Sequence, residues 1–198
     1  MPSSTVSTSE PAPRGRSWGA RLGLLICFAV VVLWFLKPGA GNGSFRQLPI
    51  TQEPAPAWSV TNLNGNVLSS TQLAGQVVVI NFWATWCPPC IREIPDLNAF
   101  HLAHTNDGVT VIGLSVDTAG PEVVRSFVER VGIAYPVALA PESLVADFSA
   151  QGPIPATFII DREGRFAARY LGALPRQELE RVTQFLIAKP RPQPPAPR

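Results

Sequence analysis

The chain has 198 residues, 46% of them hydrophobic, and a formal net charge of +2, enough to bury one core of ordinary size once its ends are set aside. Its basicity is peripheral: Arg14, Arg16, Arg21, Lys37 and Arg46 stand against Glu10 and Glu53 before residue 58, and the tail adds Arg191 and Arg198 without an acid. Between residues 58 and 189 acids slightly outnumber bases, so the overall charge is no argument for a nucleic-acid partner.

Residues 1–20 are rich in Ser, Thr and Pro and read as a disordered cytoplasmic segment. Residues 21–37 read as a transmembrane anchor, because 22–36 is an unbroken apolar run between Arg21 and Lys37. As a helix it spans roughly 22 Å against a hydrocarbon core of roughly 30 Å, so snorkelling flanks, Trp18 and Trp34 complete the crossing. A cleavable signal needs small residues in an Ala-x-Ala-like pattern, and the stretch 37–41 is a poor version of it, which favours an uncleaved anchor. The arginines ahead of the run place the N-terminus in the cytoplasm and the remainder across the membrane, the periplasmic side in a bacterial cell. Cys27, inside the run, reads as a small apolar filler; bulky Ile26 before it argues against lipid attachment. Residues 38–56 carry Gly, Asn, Pro and Gln with few periodic apolar positions and read as a linker.

A folded domain is predicted over residues 57–189. Strands at 58–61 and 67–68 flank Asn64-Gly65, a hairpin signal, and 69–74 predicts a short helical turn. The apolar run 77–83 is a buried strand, followed by a helix from 88 to about 103 that Pro95 is expected to kink. Then come a strand at 109–116, an amphipathic helix at 121–131, a short strand at 135–139 and a brief helix at 143–148. Strands at 156–161 and 165–171 form a second hairpin, and a helix at 175–188 closes the domain. Alternating β and α elements of this kind imply a mixed sheet flanked by helices. Residues 190–198 are proline-dense and read as a disordered tail.

The chemistry is concentrated at Trp86-Cys87-Pro88-Pro89-Cys90, where strand hands over to helix. Two thiols one helical turn apart can open and close as a disulfide, and a cysteine at a helix N-terminus is favoured as the thiolate. The same spacing also serves zinc, but a structural zinc site needs four ligands and no second pair exists; His101 and His104 read as surface residues of the same helix. Glu93, three residues after Cys90 and on its helical face, is a candidate to accept the Cys90 proton, with a pKa raised by partial desolvation.

From residue 58 to about 188 the chain resembles the thioredoxin superfamily and, within it, the membrane-tethered TlpA- and ResA-like thiol-disulfide oxidoreductases of bacterial envelopes. Three features carry the resemblance: the stretch from Asn81 through Cys90, Pro95, and the stretch from Gly152 through Asp161 that contains Ile154-Pro155-Ala156-Thr157. It implies a thioredoxin-like mixed sheet flanked by helices, with an N-terminal β-hairpin and an inserted βα unit in the 109–139 region. It implies a catalytic Cys87 and Cys90, with Glu93 at the position of the active-site glutamate of ResA-like proteins. Pro155 would be a cis-proline facing the disulfide, Ile154 would offer its backbone to an extended substrate, and Trp86, Pro88 and Pro89 would complete the substrate-binding rim. Where thioredoxins carry a buried aspartate this chain has Asn81, which cannot take a proton.

The function implied is reduction of envelope-protein disulfides, in apocytochrome c or in copper-site proteins, with a membrane thiol carrier of the DsbD or CcdA type as reductant and no cofactor beyond the redox-active disulfide. A thiol peroxidase would set its cysteine in Pro-x-x-x-Thr-x-x-Cys, which Cys87 lacks. A copper chaperone of the Sco kind would want a wider cysteine spacing and a distant histidine. A DsbA-like oxidase would reverse the direction; the short insertion argues against it, and so do two prolines that remove N–H groups from the Cys87 thiolate.

Overall fold

A computed structural model of the chain describes residues 45–49 and 52–189. All the described residues belong to one compact unit. The predicted disordered N-terminus, membrane anchor, early linker and proline-rich tail lie outside the described residues. Among those described, no helix is long and apolar enough to cross a membrane.

The elements in chain order are β1 (Arg46–Gln47), β2 (Ser59–Thr61), β3 (Val67–Ser69), β4 (Val77–Trp83), α1 (Pro88–His104), β5 (Val109–Ser115), α2 (Pro121–Val131), β6 (Val137–Leu139), α3 (Glu142–Asp147), β7 (Ala156–Ile160), β8 (Phe166–Leu171) and α4 (Arg176–Ala188). Six strands form one mixed sheet in the order β1-β8-β7-β4-β5-β6, with β4 parallel to β5 and antiparallel to β7. This is a thioredoxin-like α/β fold: β4-α1-β5 supplies the parallel half, β7-β8-α4 the antiparallel half, and α2-β6 is the inserted unit between them.

All seven residues of β4 are buried because both faces of the strand are covered. Strand periodicity sends Val77, Val79 and Trp83 to one side, where they meet Ile94, Leu97 and Phe100 of α1 and Leu179 and Leu186 of α4. Val78, Ile80 and Phe82 point the other way, into a cluster with Trp58, Phe148, Phe158 and Phe166. By the same alternation Asn81 is delivered, polar and buried, to the α1 side of the sheet.

Helix α1 starts where the sequence stops supplying backbone donors: Cys87 is its N-cap and Pro88 and Pro89 occupy the first turn. It runs through Pro95 and presents Cys90, Glu93, Ile94, Leu97 and Phe100 to the core. Helix α2 ends on Gly132 in the left-handed region at φ 74°, whose N–H donates to Val128 O.

The expected short helical turn at 69–74 is present as turns over residues 70–75, with Leu73 N–H donating to Ser69 O one helical turn back. Two expectations change. The first hairpin closes through a wider loop than a two-residue turn: Asn62 Oδ1 accepts from the N–H groups of Asn64 and Asn66, and Gly65 takes φ 82°. The described part of the linker is not free. β1 pairs with β8, Leu48 N–H donates to Arg169 O, and Pro54 bridges to Arg165. Those backbone bonds cover what would otherwise be an open sheet edge, and they need no apolar periodicity to form.

Candidate active site

Cys87 and Cys90 are joined in a disulfide with their Cα atoms 5.3 Å apart. Strand β4 ends at Trp83, and the turn to α1 is fastened from the neighbouring strand. Asp117, just after β5, accepts from Thr85 N–H at 2.9 Å and from Thr85 Oγ1 at 2.6 Å, while Ser115 Oγ donates to it at 2.6 Å. That clamp fixes the residues on which Trp86 and Cys87 follow.

Cys87 Sγ caps the helix, accepting from Cys90 N–H at 3.3 Å. An N-cap acceptor is ordinarily served by the N–H of the second or third helical residue. The second is Pro89, so Cys90 alone supplies that bond. The N-terminal end of α1 therefore stabilises a Cys87 thiolate with one donor where it might have had two.

Across the sulfur lies the loop before β7. The Ile154–Pro155 peptide bond is cis, and Ile154 O stands 3.8 Å from Cys87 Sγ. Both sulfur-bearing residues are nearly covered, Cys87 at 4% and Cys90 at 1%, whereas Trp86 is 66% exposed. Pro88 is exposed, Pro89 and Ile154 are half-buried, and Pro155 is buried. The structure thus brings six of the predicted residues, Trp86, Cys87, Pro88, Pro89, Ile154 and Pro155, to one surface.

Glu93 sits below that surface, 4% exposed. Leu174 N–H donates to its Oε2 at 3.0 Å and Asn81 Nδ2 to its Oε1 at 2.8 Å. The same Asn81 nitrogen donates to Thr157 Oγ1 at 3.1 Å, across the β4–β7 register pair. Burial pushes the Glu93 pKa up to about 7; the Leu174 and Asn81 hydrogen bonds pull the other way, and Asp96 adds a small push upward. Tyr135 is buried nearby, and burial together with the Glu93 charge raises its hydroxyl above the ordinary tyrosine range.

Sequence reasoning missed Thr157, Leu174, Asp117 and Ser115 as site residues. Only Thr157 carried a signal, its adjacency to the Ile154-Pro155 loop. His101 and His104 are half-buried rather than at the surface. His104 joins α1 to α4, with Nδ1 2.8 Å from Asp107 and Nε2 2.7 Å from Glu180. Burial works to lower its pKa, but the bonds to both carboxylates and their charges outweigh it and raise it. Among the described residues there is no cluster of three or more His, Cys, Asp or Glu side chains that could hold a metal.

A dithiol capping a helix, opposite a cis-proline loop and above a buried carboxylate, is an arrangement for thiol-disulfide exchange. Residues 51–169 match the AhpC/TSA family. The chain belongs to that family. Among curated relatives it is similar to the thiol-disulfide oxidoreductase ResA of Bacillus thuringiensis strain Al Hakam, 32% identical over 162 residues, covering 78% of this chain and 92% of the relative. Among solved structures it is similar to a thioredoxin-family thiol:disulfide interchange protein of Chlorobium tepidum TLS, with TM-score 0.64 and 29% identity, covering 71% of this chain and all of that one. A DsbF homologue of Corynebacterium diphtheriae gives TM-score 0.64 and 26% identity, covering 75% of this chain and 96% of its own. The protein is a thiol-disulfide oxidoreductase of the ResA-like group.

Two predictions come from this geometry. Pro89→Ala restores the missing N–H beneath the Cys87 sulfur, and a backbone hydrogen bond to a thiolate is worth enough to lower the Cys87 pKa by about one unit; thiolate absorbance of the reduced protein across pH reads it, and an unchanged titration refutes the capping argument. The second concerns Glu93. Its proton is bound more tightly in the folded chain than in the unfolded one, so stability falls as pH rises from 4.5 to about 7 and is level above. Glu93→Gln should remove a fall of about 3 kcal/mol from the oxidised protein's stability across that window, measured by denaturant unfolding.

Proposed function

We propose that this AhpC/TSA protein is a membrane-tethered reductase of protein disulfides in the bacterial envelope, single-pass in the inner membrane with its catalytic domain in the periplasm. The observation that carries the reading is the Cys87–Cys90 disulfide at the N-terminus of α1 facing Ile154–Pro155. In the reduced protein the Cys87 thiolate attacks a substrate disulfide, forming a mixed disulfide and releasing one substrate thiolate. Glu93 takes the Cys90 proton, the Cys90 thiolate attacks Cys87 Sγ, and the second substrate sulfur leaves as a thiolate. Two electrons have passed to the substrate, and the enzyme is left with the disulfide seen here.

Location rests on the apolar run 22–36 and the arginines ahead of it. The ResA name of the curated relatives supports thiol-disulfide chemistry. For substrates the reading takes apocytochrome c haem-site cysteines or copper-site cysteines, and for reductant a membrane thiol carrier of the DsbD or CcdA type, with the dithiol itself as the only redox group. The exposed rim at Trp86 and Pro88 suits a polypeptide laid over Cys87 more than a small peroxide, which would need no such surface.

Direction is decided by the potential. Equilibrated against thiol buffers, with Trp83 and Trp86 fluorescence as the signal, the Cys87–Cys90 couple should lie near or below about −230 mV; a value near about −120 mV would make the protein an oxidase of the DsbA kind. Identity of the target is decided by trapping: Cys90→Ser stalls the reaction at the mixed disulfide, so a c-type apocytochrome or a copper-site protein should be recovered on Cys87. Recovery of neither, with other envelope proteins trapped in their place, rejects both substrate classes.

A further inference from the structure

Glu93 must exist in two protonation states if it is to handle the Cys90 proton, and its surroundings have to satisfy both. Its Oε2 faces the Leu174 backbone N–H, a group that can only donate, so Oε1 is the oxygen left to carry the proton. Facing Oε1 is the Asn81 amide, which also meets Thr157 Oγ1. With Glu93 ionised, the two protons of Asn81 Nδ2 go one to Oε1 and one to Thr157 Oγ1. With Glu93 protonated, an N–H at that place would confront an O–H. Turned over, the same amide offers a carbonyl oxygen with two lone pairs, one for Glu93 O–H and one for Thr157 O–H, whose hydroxyl rotates freely.

We propose that Asn81 is the positioning residue for the Glu93 proton: its amide turns over as the carboxyl gains or loses a proton, the Thr157 hydroxyl turns with it, and the buried carboxyl stays hydrogen-bonded throughout. The inference rests on the reading of Glu93 as the group that takes the Cys90 proton. Leucine in place of Asn81 leaves a buried carboxyl short of a partner in both states. Aspartate puts a second acid 2.8 Å away, and the pair then titrates as a unit, one member being pushed up strongly. The other groups around Glu93 do not compete for the role. Asp96 on α1 contributes only charge, Tyr135 before β6 stays protonated, and the approach to α4 presents a backbone N–H. From the two strands beneath, Asn81 meets the carboxyl and Thr157 meets Asn81.

The test follows the Asn81 side-chain amide by magnetic resonance in the oxidised full-length chain, with isotope-labelled asparagine and Asn81→Leu to assign the signals. The Asn81 amide should titrate with the same midpoint as the Glu93 carboxyl, followed in the same sample through its labelled carbon. In Glu93→Gln, where the side-chain amide of residue 93 donates from the place of the acid O–H, the Asn81 signals should sit at their low-pH positions at every pH. Asn81→Leu should move the Glu93 midpoint up by about one pH unit or more, because the charged form loses the stronger hydrogen bond. Asn81 signals that stay flat through the Glu93 titration, or that hold their high-pH positions in Glu93→Gln, would overturn the turning amide. Failure of the reading beneath it looks different: the pH dependence of the Cys90 resolving step would be the same in Glu93→Gln as in the parent chain, while the Asn81 amide still followed the carboxyl.

Discussion

Burying Glu93 is the constraint around which this site is arranged. A carboxyl 4% exposed has lost most of its water, and a charge so placed is costly unless its oxygens are hydrogen-bonded. Each oxygen has one donor, Asn81 from the central strand and the Leu174 backbone from the approach to α4. Neither donor is charged. Burial therefore wins over the two bonds, and the group is held near about 7 instead of in the ordinary carboxylate range. A lysine or arginine in place of Asn81 would have fixed the negative charge and ended its usefulness as a proton acceptor.

The fold supplies those partners because of where each element ends. The buried strand β4 puts Asn81 two residues before Trp83 and on the face that α1 covers. Antiparallel β7 sets Thr157 directly opposite it, two residues after the cis Ile154–Pro155 bond. Parallel β5 ends at Ser115, so that Asp117 reaches the Thr85 turn. One face of one sheet thus fixes the carboxyl, the proline loop and the dithiol together. The inserted unit α2-β6 adds Phe127 against Trp83 and brings Tyr135 into the same core cluster.

Legibility in the sequence followed the range of the interaction. The run Val77–Trp83, the cap and prolines opening α1, and the amphipathic α2 are local patterns, and their boundaries in the structure lie close to those read from spacing. Glu93 was legible for a similar reason, being one turn from Cys90. The network beyond Asn81 was not: Leu174 reaches Glu93 from 81 residues away and Thr157 reaches Asn81 from 76, and nothing in a lone threonine or a backbone N–H advertises a carboxyl at the other end. The pairing of residues 46–48 and 54 along β8 is backbone bonding, which leaves no trace in hydropathy. The turn at 69–74 was legible in its polar residues: Ser69 Oγ accepts from Gln72 N–H as an N-cap does, and Leu73 N–H donates to Ser69 O, a single helical turn that goes no further.

Electrostatics also orders the two sulfurs in the proposed chemistry. Cys87 has the helix N-terminus behind it and a backbone N–H on its Sγ, both favouring the thiolate. Cys90, already inside the first turn, shares its helical face with Glu93 one turn on, whose charge would disfavour a second negative charge nearby. In that proposal the outer sulfur attacks first, favoured as the thiolate by the helix N-terminus, and the inner sulfur becomes a nucleophile only when its proton has moved to the carboxyl. Sequence order and attack order coincide here because a helix dipole acts on one cysteine and a buried acid on the other.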